Sequence, residues 1–130
     1  MPFDFETGPE RGAKQRTNYY AGLNAEKSVQ RHYQRQGAEL REARWRGPGG
    51  EIDLILAEGE RMVFVEVKKS RTHDQAAQRI TARQMGRILR SAESYLGRCP
   101  KGSLTEARVD IALVDGQGKI EIIPNASMMF

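Results

Sequence analysis

Cysteine is almost absent from this chain: Cys99 is the only one in 130 residues. An intramolecular disulfide and a cluster of thiolate metal ligands are therefore both excluded. The two histidines, His32 and His73, lack the spacing of paired metal ligands. A chain with one cysteine suits a reducing compartment, so we expect a cytoplasmic protein.

Long hydrophobic runs are also missing. No apolar stretch approaches the roughly 18 residues that are needed to span a bilayer, and the first residues lack the charged-then-apolar pattern of a signal peptide. We therefore expect no membrane partner. Residues 1–17 have no apolar periodicity and predict a flexible tail, whereas residues 18–130 are enough for a single domain.

Positive charge is in modest excess, with a formal net charge of +4. The basic residues are clustered: nine Lys or Arg oppose three Glu between Arg11 and Arg46, and seven oppose one Asp between Lys68 and Arg90. Clusters of this kind are the electrostatic signature of a nucleic-acid-binding surface.

Helical and strand patterns follow one another along the chain. Thr17 or Asn18 could cap a helix over residues 19–36, and a second helical period covers residues 80–96. Strands are predicted over residues 38–46, 52–56, 62–67, 107–114 and 119–123. The order α-β-β-β-α-β-β predicts an α/β fold, a mixed sheet flanked by helices.

The second and third strands carry the chemically capable side chains. If Gly59 and Glu60 form the hairpin turn, opposed positions sum to 119, so Asp53 faces Glu66 and Glu51 faces Lys68. Directly opposed side chains share a face of the sheet, about 4.5–5.5 Å apart at Cβ. The hairpin would thus bring two carboxylates together beside a lysine.

Adjacent carboxylates repel each other unless a cation lies between them, and hard oxygen ligands suit Mg²⁺ or Mn²⁺. An ammonium beside them could orient a water molecule, so the trio of Asp53, Glu66 and Lys68 is what a metal-dependent phosphodiesterase requires. The competing interpretation is a set of cross-strand salt bridges on a solvated face. Phe64 and Ile55 share the face of the acids, which favours a covered site.

The segments G-E-I-D-L-I and V-F-V-E-V-K, at residues 50–55 and 63–68, resemble the core of the YraN-like family of small bacterial proteins. The resemblance extends from about Gly22 to Ala126. It implies a restriction-endonuclease-like fold similar to Holliday junction resolvases, with a PD-(D/E)xK nuclease motif that maps to Asp53, Glu66 and Lys68.

Glu26 lies on an otherwise apolar side of the first helix, where a solvated glutamate is the ordinary interpretation. The resemblance adds a role, because the position matches a glutamate that resolvase-like nucleases use near their metal. We therefore include Glu26 with Asp53 and Glu66 as a candidate metal ligand.

Arginines recur along the second helical pattern at spacings of four, four and three, at Arg79, Arg83, Arg87 and Arg90. Most charged stripes are only solvated faces. No acidic residue is interleaved here, so we expect phosphate contacts. The predicted nucleic-acid-binding residues are Arg79, Arg83, Arg87, Arg71 and Lys69.

Two residues depart from the family pattern. Gln84 stands where members usually carry Lys, and Arg44 replaces the usual Asn before the G-E-I-D segment. Gln84 falls on the inward side of its helix, where its amide needs a partner. Asp110, in the motif R-V-D, is expected to hold Arg108 or a backbone amide rather than a metal.

These patterns together predict a Mg²⁺- or Mn²⁺-dependent endonuclease that acts on nucleic acid, with DNA favoured and branched DNA a possible substrate. The resemblance to junction resolvases also implies a homodimer. The alternative is an accessory protein that binds nucleic acid without cutting it, and Gln84 favours that alternative. A second alternative, a protein-interaction module with a structural ion-pair hairpin, would bind neither metal nor nucleic acid.

Overall fold

The computed structural model describes the backbone of residues 9–130 and the side chains of residues 22–130. Its helices and strands are α1 (Pro9–Arg35), β1 (Glu39–Gly47), β2 (Gly50–Glu58), β3 (Arg61–Lys69), α2 (His73–Ala77), α3 (Ala82–Leu96), β4 (Ala107–Val114) and β5 (Ile120–Ile123). Two short 3₁₀ helices, Gly102–Leu104 and Ala126–Met129, complete the described chain.

The five strands form one mixed sheet in the order β1-β2-β3-β4-β5. Only β3 and β4 are parallel, and their connection carries α2 and α3, as a parallel pair requires a long crossover. The predicted mixed sheet flanked by helices is confirmed. None of the helices described is long and apolar enough to cross a membrane.

Each face of the sheet has its own core. One face packs against α3 through side chains that include Ile55, Phe64, Met85, Ile88 and Ile111. The other packs against α1 through Val29, Tyr33, Leu54, Val63 and Val65, among others. Residues on β2 and β3 alternate between the two cores because strand side chains alternate between faces. The face that the acids share with Phe64 and Ile55 is thus covered, as predicted.

Two local elements differ from the predicted pattern. Helix α1 begins at Pro9, eight residues before Thr17, and residues 1–8 of the predicted tail lie outside the described residues. The segment after β3, expected to be irregular, contains α2, which the Thr72 side chain caps by accepting a hydrogen bond from the Gln75 amide. Five residues are too few for helical periodicity to reveal them.

The glycine-rich turn between β1 and β2 packs tightly onto α3. A Cβ atom on Gly49 would lie 2.0 Å from the carbonyl oxygen of Arg87. The Gly49 amide donates to Ser91 Oγ at 2.9 Å, and the Ser91 hydroxyl donates to the Gly50 carbonyl at 2.8 Å. The turn fixes α3 against the start of β2, which carries Asp53.

Candidate active site

The candidate site lies where β2 and β3 separate. The two strands pair in the predicted register from Leu54 opposite Val65 down to the turn, and the ladder ends there. Beyond this point β2 continues alongside β1, and β3 alongside β4. The Asp53 carboxylate bridges the fork, since its Oδ2 accepts a hydrogen bond of 2.8 Å from the Val67 amide.

The fork corrects one prediction. Glu51 was expected opposite Lys68, but it pairs with Arg46 on β1 and is exposed. The physical reason is that Asp53 binds the Val67 amide with its side chain, which replaces a backbone bond between the strands. Lys68 therefore has no structural tie to Glu51.

Lys68 and Gln84 both bind the same oxygen of Glu66. The Lys68 ammonium lies 3.1 Å from Glu66 Oε2, and the Gln84 amide donates to that oxygen at 3.3 Å. Glu66 is 8% exposed, and its other oxygen, Oε1, is buried without a hydrogen-bond partner among the described residues. Gln84 has thus found the partner that its inward position requires, and one Glu66 oxygen stays available.

Asp53 responds to this environment. Burial, repulsion from Glu66 and, more weakly, from Glu26 raise the pKa of Asp53 to about 8, against a usual value of 3.8, although the Val67 amide opposes the shift. Without a cation Asp53 is therefore mostly protonated at neutral pH. The repulsion from Glu66 is consistent with two carboxylates that lie near each other where the paired strands separate.

Glu26 lies at the edge of this arrangement. It belongs to α1, on the other face of the sheet, and Arg44 Nε approaches its Oε1 to 3.1 Å. Arg44 adopts a left-handed backbone conformation, with φ of 55°, which is uncommon for a side-chain-bearing residue. Glu26 thus adds negative charge near Asp53 while it is itself partly neutralised.

Asp53 and Glu66 fit a hard divalent cation. A cation between them would offset their repulsion and satisfy the buried Oε1 of Glu66. Within residues 22–130, no three His, Cys, Asp or Glu side chains converge on one point ready to hold a metal. The donor set present is therefore a carboxylate pair, and ligation by Glu26 stays a prediction.

The predicted nucleic-acid-binding residues fall on two surfaces. Arg83 and Arg87 are exposed on α3, and neither forms an ion pair with a described residue. Arg79 was predicted on the same helix but precedes it, because Thr81 caps α3 through the Gln84 amide. It lies instead with Lys69 and Arg71 around a cavity on the α1 side.

Asp110 has the structural role that was predicted. It is fully buried and accepts hydrogen bonds from Arg108 Nε at 2.9 Å and from the Asn125 amide at 3.0 Å. The Tyr33 hydroxyl donates to the second oxygen of Asp110 at 2.7 Å. The pKa of Tyr33 is raised mainly because the hydroxyl is buried, and also because the Asp110 carboxylate accepts its hydrogen bond. The network joins α1 to β4 and leaves no role for Asp110 as a ligand.

Sequence reasoning missed two contributors to the site. The Val67 amide positions Asp53, and Ser91 anchors the glycine-rich turn that precedes Asp53 in the chain. Val67 reads as an ordinary strand residue. Ser91 is fully buried on α3 between apolar neighbours, and that inward polar position was the one available signal.

Comparison with known proteins identifies relatives along most of the chain. The model described as "Uncharacterised protein family UPF0102" matches residues 25–114. A UPF0102 protein of Cereibacter sphaeroides is 51% identical over 109 residues, which are 84% of this chain and 93% of that protein. A UPF0102 protein of Ruegeria pomeroyi is 51% identical over 109 residues, covering 84% and 89% of the two chains. One of Dinoroseobacter shibae is 39% identical over 108 residues, covering 83% and 81%.

Proposed function

This chain belongs to the UPF0102 family, and we propose that it is a metal-dependent nuclease that hydrolyses phosphodiester bonds in DNA. The observation that carries the proposal is the fork between β2 and β3. It gathers a half-buried Asp53, a buried Glu66 with one oxygen unbound, and Lys68 on one face of the sheet. A purely structural ion pair has no need of the second carboxylate.

Asp53 and Glu66 would hold Mg²⁺ or Mn²⁺, with Glu26 favouring the cation through its charge. The bound metal would polarise the scissile phosphoryl oxygen and stabilise the negative charge of the transition state. Gln84 and Lys68 hold Oε2 of Glu66, so Oε1 keeps its orientation. Lys68, 12% exposed at its side chain, can also donate a hydrogen bond to the attacking water and orient it.

Arg83 and Arg87 would contact phosphates of the bound duplex and add affinity without reading its sequence. Branched DNA is the substrate that the resemblance to junction resolvases favours. A four-way junction requires two symmetric cuts, so a homodimer is part of the proposal. A cytoplasmic location agrees with such a substrate.

The test is cleavage of end-labelled duplex, flap, four-way junction and single-stranded DNA, together with one RNA of matched sequence, in Mg²⁺ and in Mn²⁺. Asp53→Ala, prepared in parallel, serves as the control for contaminating nuclease. We expect cleavage of at least one DNA by the wild type alone. Binding of DNA without cleavage in either metal would favour the accessory alternative, and equal cleavage by Asp53→Ala would reject the site.

A further inference from the structure

We propose that the cavity between α1 and the end of β3 binds the sugar-phosphate backbone next to the scissile bond, which adds a positioning site to the proposed nuclease. The cavity has a volume of about 730 Å³. Ligand sites generally enclose roughly 300–1,000 Å³, so a nucleotide unit fits this volume. The inference rests on the proposed function.

The cavity adjoins the carboxylate pair through β3. Val67 lines the cavity on the α1 side of the sheet, and its amide donates to Asp53 at 2.8 Å. Lys69, which also lines it, lies two residues further along the strand, or about 6.6 Å at the usual rise of a strand. A nucleic-acid strand cut at Asp53 and Glu66 would therefore bring a neighbouring phosphate within reach of the cavity.

The cavity lining is basic. Lys69, Arg71 and Arg79 contribute three cations, whereas Glu26 is the one carboxylate among the lining residues described. Glu26 is also paired with Arg44 at 3.1 Å, which reduces its repulsion of an anion. The net charge of the lining therefore favours a phosphate group.

Backbone contacts hold the basic residues in place. Arg79 Nη1 donates to the Lys69 carbonyl at 2.6 Å, which leaves the other guanidinium N–H groups for a ligand. The Gly116 amide donates to the Arg71 carbonyl at 3.1 Å, and the Ser70 amide to the Val114 carbonyl at 3.0 Å. The main chain that carries these basic residues is therefore held in place before a phosphate binds.

No aromatic side chain is among the described residues that line the cavity. A base would find no ring to stack on, and stacking is the usual means of holding bases in single-stranded sites. The cavity therefore suits the sugar and phosphate rather than the base. Recognition should be independent of sequence.

The experiment measures binding of a fluorescein-labelled 12-nucleotide single-stranded DNA by anisotropy, in EDTA and over a range of salt concentrations. Lys69→Ala/Arg71→Ala is compared with the wild type. Arg41→Ala/Lys101→Ala is the matched control, because it removes two exposed, ion-paired cations that do not line this cavity. Circular dichroism establishes that each variant is folded, and the single variant Arg71→Gln replaces Lys69→Ala/Arg71→Ala if that double variant is not.

We expect the salt slope of binding to fall by about 1.4 in Lys69→Ala/Arg71→Ala, at about 0.7 for each phosphate contact on a single strand, and to stay unchanged in the control. For Arg71→Gln the expected fall is about 0.7. An unchanged slope in the cavity variant, or an equal fall in the control, would overturn the inference. A DNA with the same charges but permuted bases should give the same slope, and a strong base preference would also overturn it.

Binding in EDTA does not depend on cleavage, so the two proposals fail separately. If the slope falls as expected but no DNA is cut in Mg²⁺ or Mn²⁺, the cavity stands and the nuclease proposal fails. If DNA is cut and the slope is unchanged, the nuclease stands and the cavity has no role in binding the strand.

Discussion

Metal binding to Asp53 and Glu66 should release a proton, and this linkage can be measured without any substrate. Asp53 has a pKa of about 8 in the metal-free protein, because burial and the Glu66 charge oppose its ionisation. A hard cation binds the ionised carboxylate, so binding must displace the proton. The experiment varies the pH, and Asp53→Asn serves as the matched variant.

The magnitude follows from the pKa. With a pKa of about 8, roughly one Asp53 in ten is ionised at pH 7 and roughly one in a hundred at pH 6. The affinity for Mn²⁺ should therefore fall about tenfold between pH 7 and pH 6, or about 1.4 kcal/mol. About 0.9 proton should be released for each Mn²⁺ bound at pH 7.

Calorimetry in two buffers of different protonation enthalpy, at pH 6, 7 and 8, gives both the affinity and the number of protons. Asp53→Asn should abolish the Mn²⁺ heat and the proton release together. Mn²⁺ binding by the wild type with the same affinity at pH 6 and 8 and without proton release would refute the reasoning.

The same pKa has a consequence for stability. An acid whose pKa is raised by folding stabilises the native state below its usual value near 4, and this contribution is lost as pH rises towards about 8. In EDTA the wild type should therefore be about 2 kcal/mol less stable at pH 8 than at pH 6 from this group alone. Asp53→Asn should lack that component, which urea denaturation at both values measures.

Four further predictions concern other parts of the chain. Lys68→Met should slow single-turnover cleavage about 10²- to 10⁴-fold and keep Mn²⁺ binding, since the ammonium orients water and is not a ligand. Arg83→Ala/Arg87→Ala should lower the salt slope of duplex binding by about 1.8, which a titration at several salt concentrations measures. Gly49→Ala should cost about 1–3 kcal/mol in urea denaturation, because its Cβ would meet the α3 backbone. Tyr33→Phe should cost about 1–3 kcal/mol in the same assay, because the buried Asp110 loses a donor.

Each of these has an outcome that contradicts it, and for Tyr33→Phe that outcome is an unchanged free energy of unfolding. Full activity in folded Lys68→Met would remove Lys68 from the mechanism, and an unchanged duplex slope would move the duplex contacts off α3. Gly86→Ala is the control for Gly49→Ala, since a Cβ there meets nothing within 4 Å. Equal effects of the two glycine variants would contradict the close packing of the turn.

The sequence could predict the hairpin because two constraints act together. Period-two alternation places Ile55 and Phe64 on one face, and a turn at Gly59 sets the register that the structure has from Leu54 to Glu58. The same register, continued by one residue, predicts that Asp53 and Glu66 lie near each other. The position of the carboxylate pair in the fold was therefore within reach of sequence reasoning.

The fork could not be predicted in this way. On the side of Leu54 away from the turn, the Asp53 side chain accepts a hydrogen bond from the Val67 amide. Hydrophobic periodicity carries no information about such a bond. The same limit applies to the start of α3, where the Thr81 cap moves Arg79 off the helix. The cavity on the α1 side depends on contacts between distant segments, and no local pattern records them.

We propose that Asp53 and Glu66 share a divalent cation. Anomalous diffraction from crystals grown with Mn²⁺ tests it most directly. We predict a manganese peak within about 2.0–2.6 Å of a carboxylate oxygen of Asp53 and of Glu66 Oε1, and no such peak in Asp53→Asn. Crystals at saturating Mn²⁺ with no peak between these two side chains, or with the same peak in Asp53→Asn, would contradict the account.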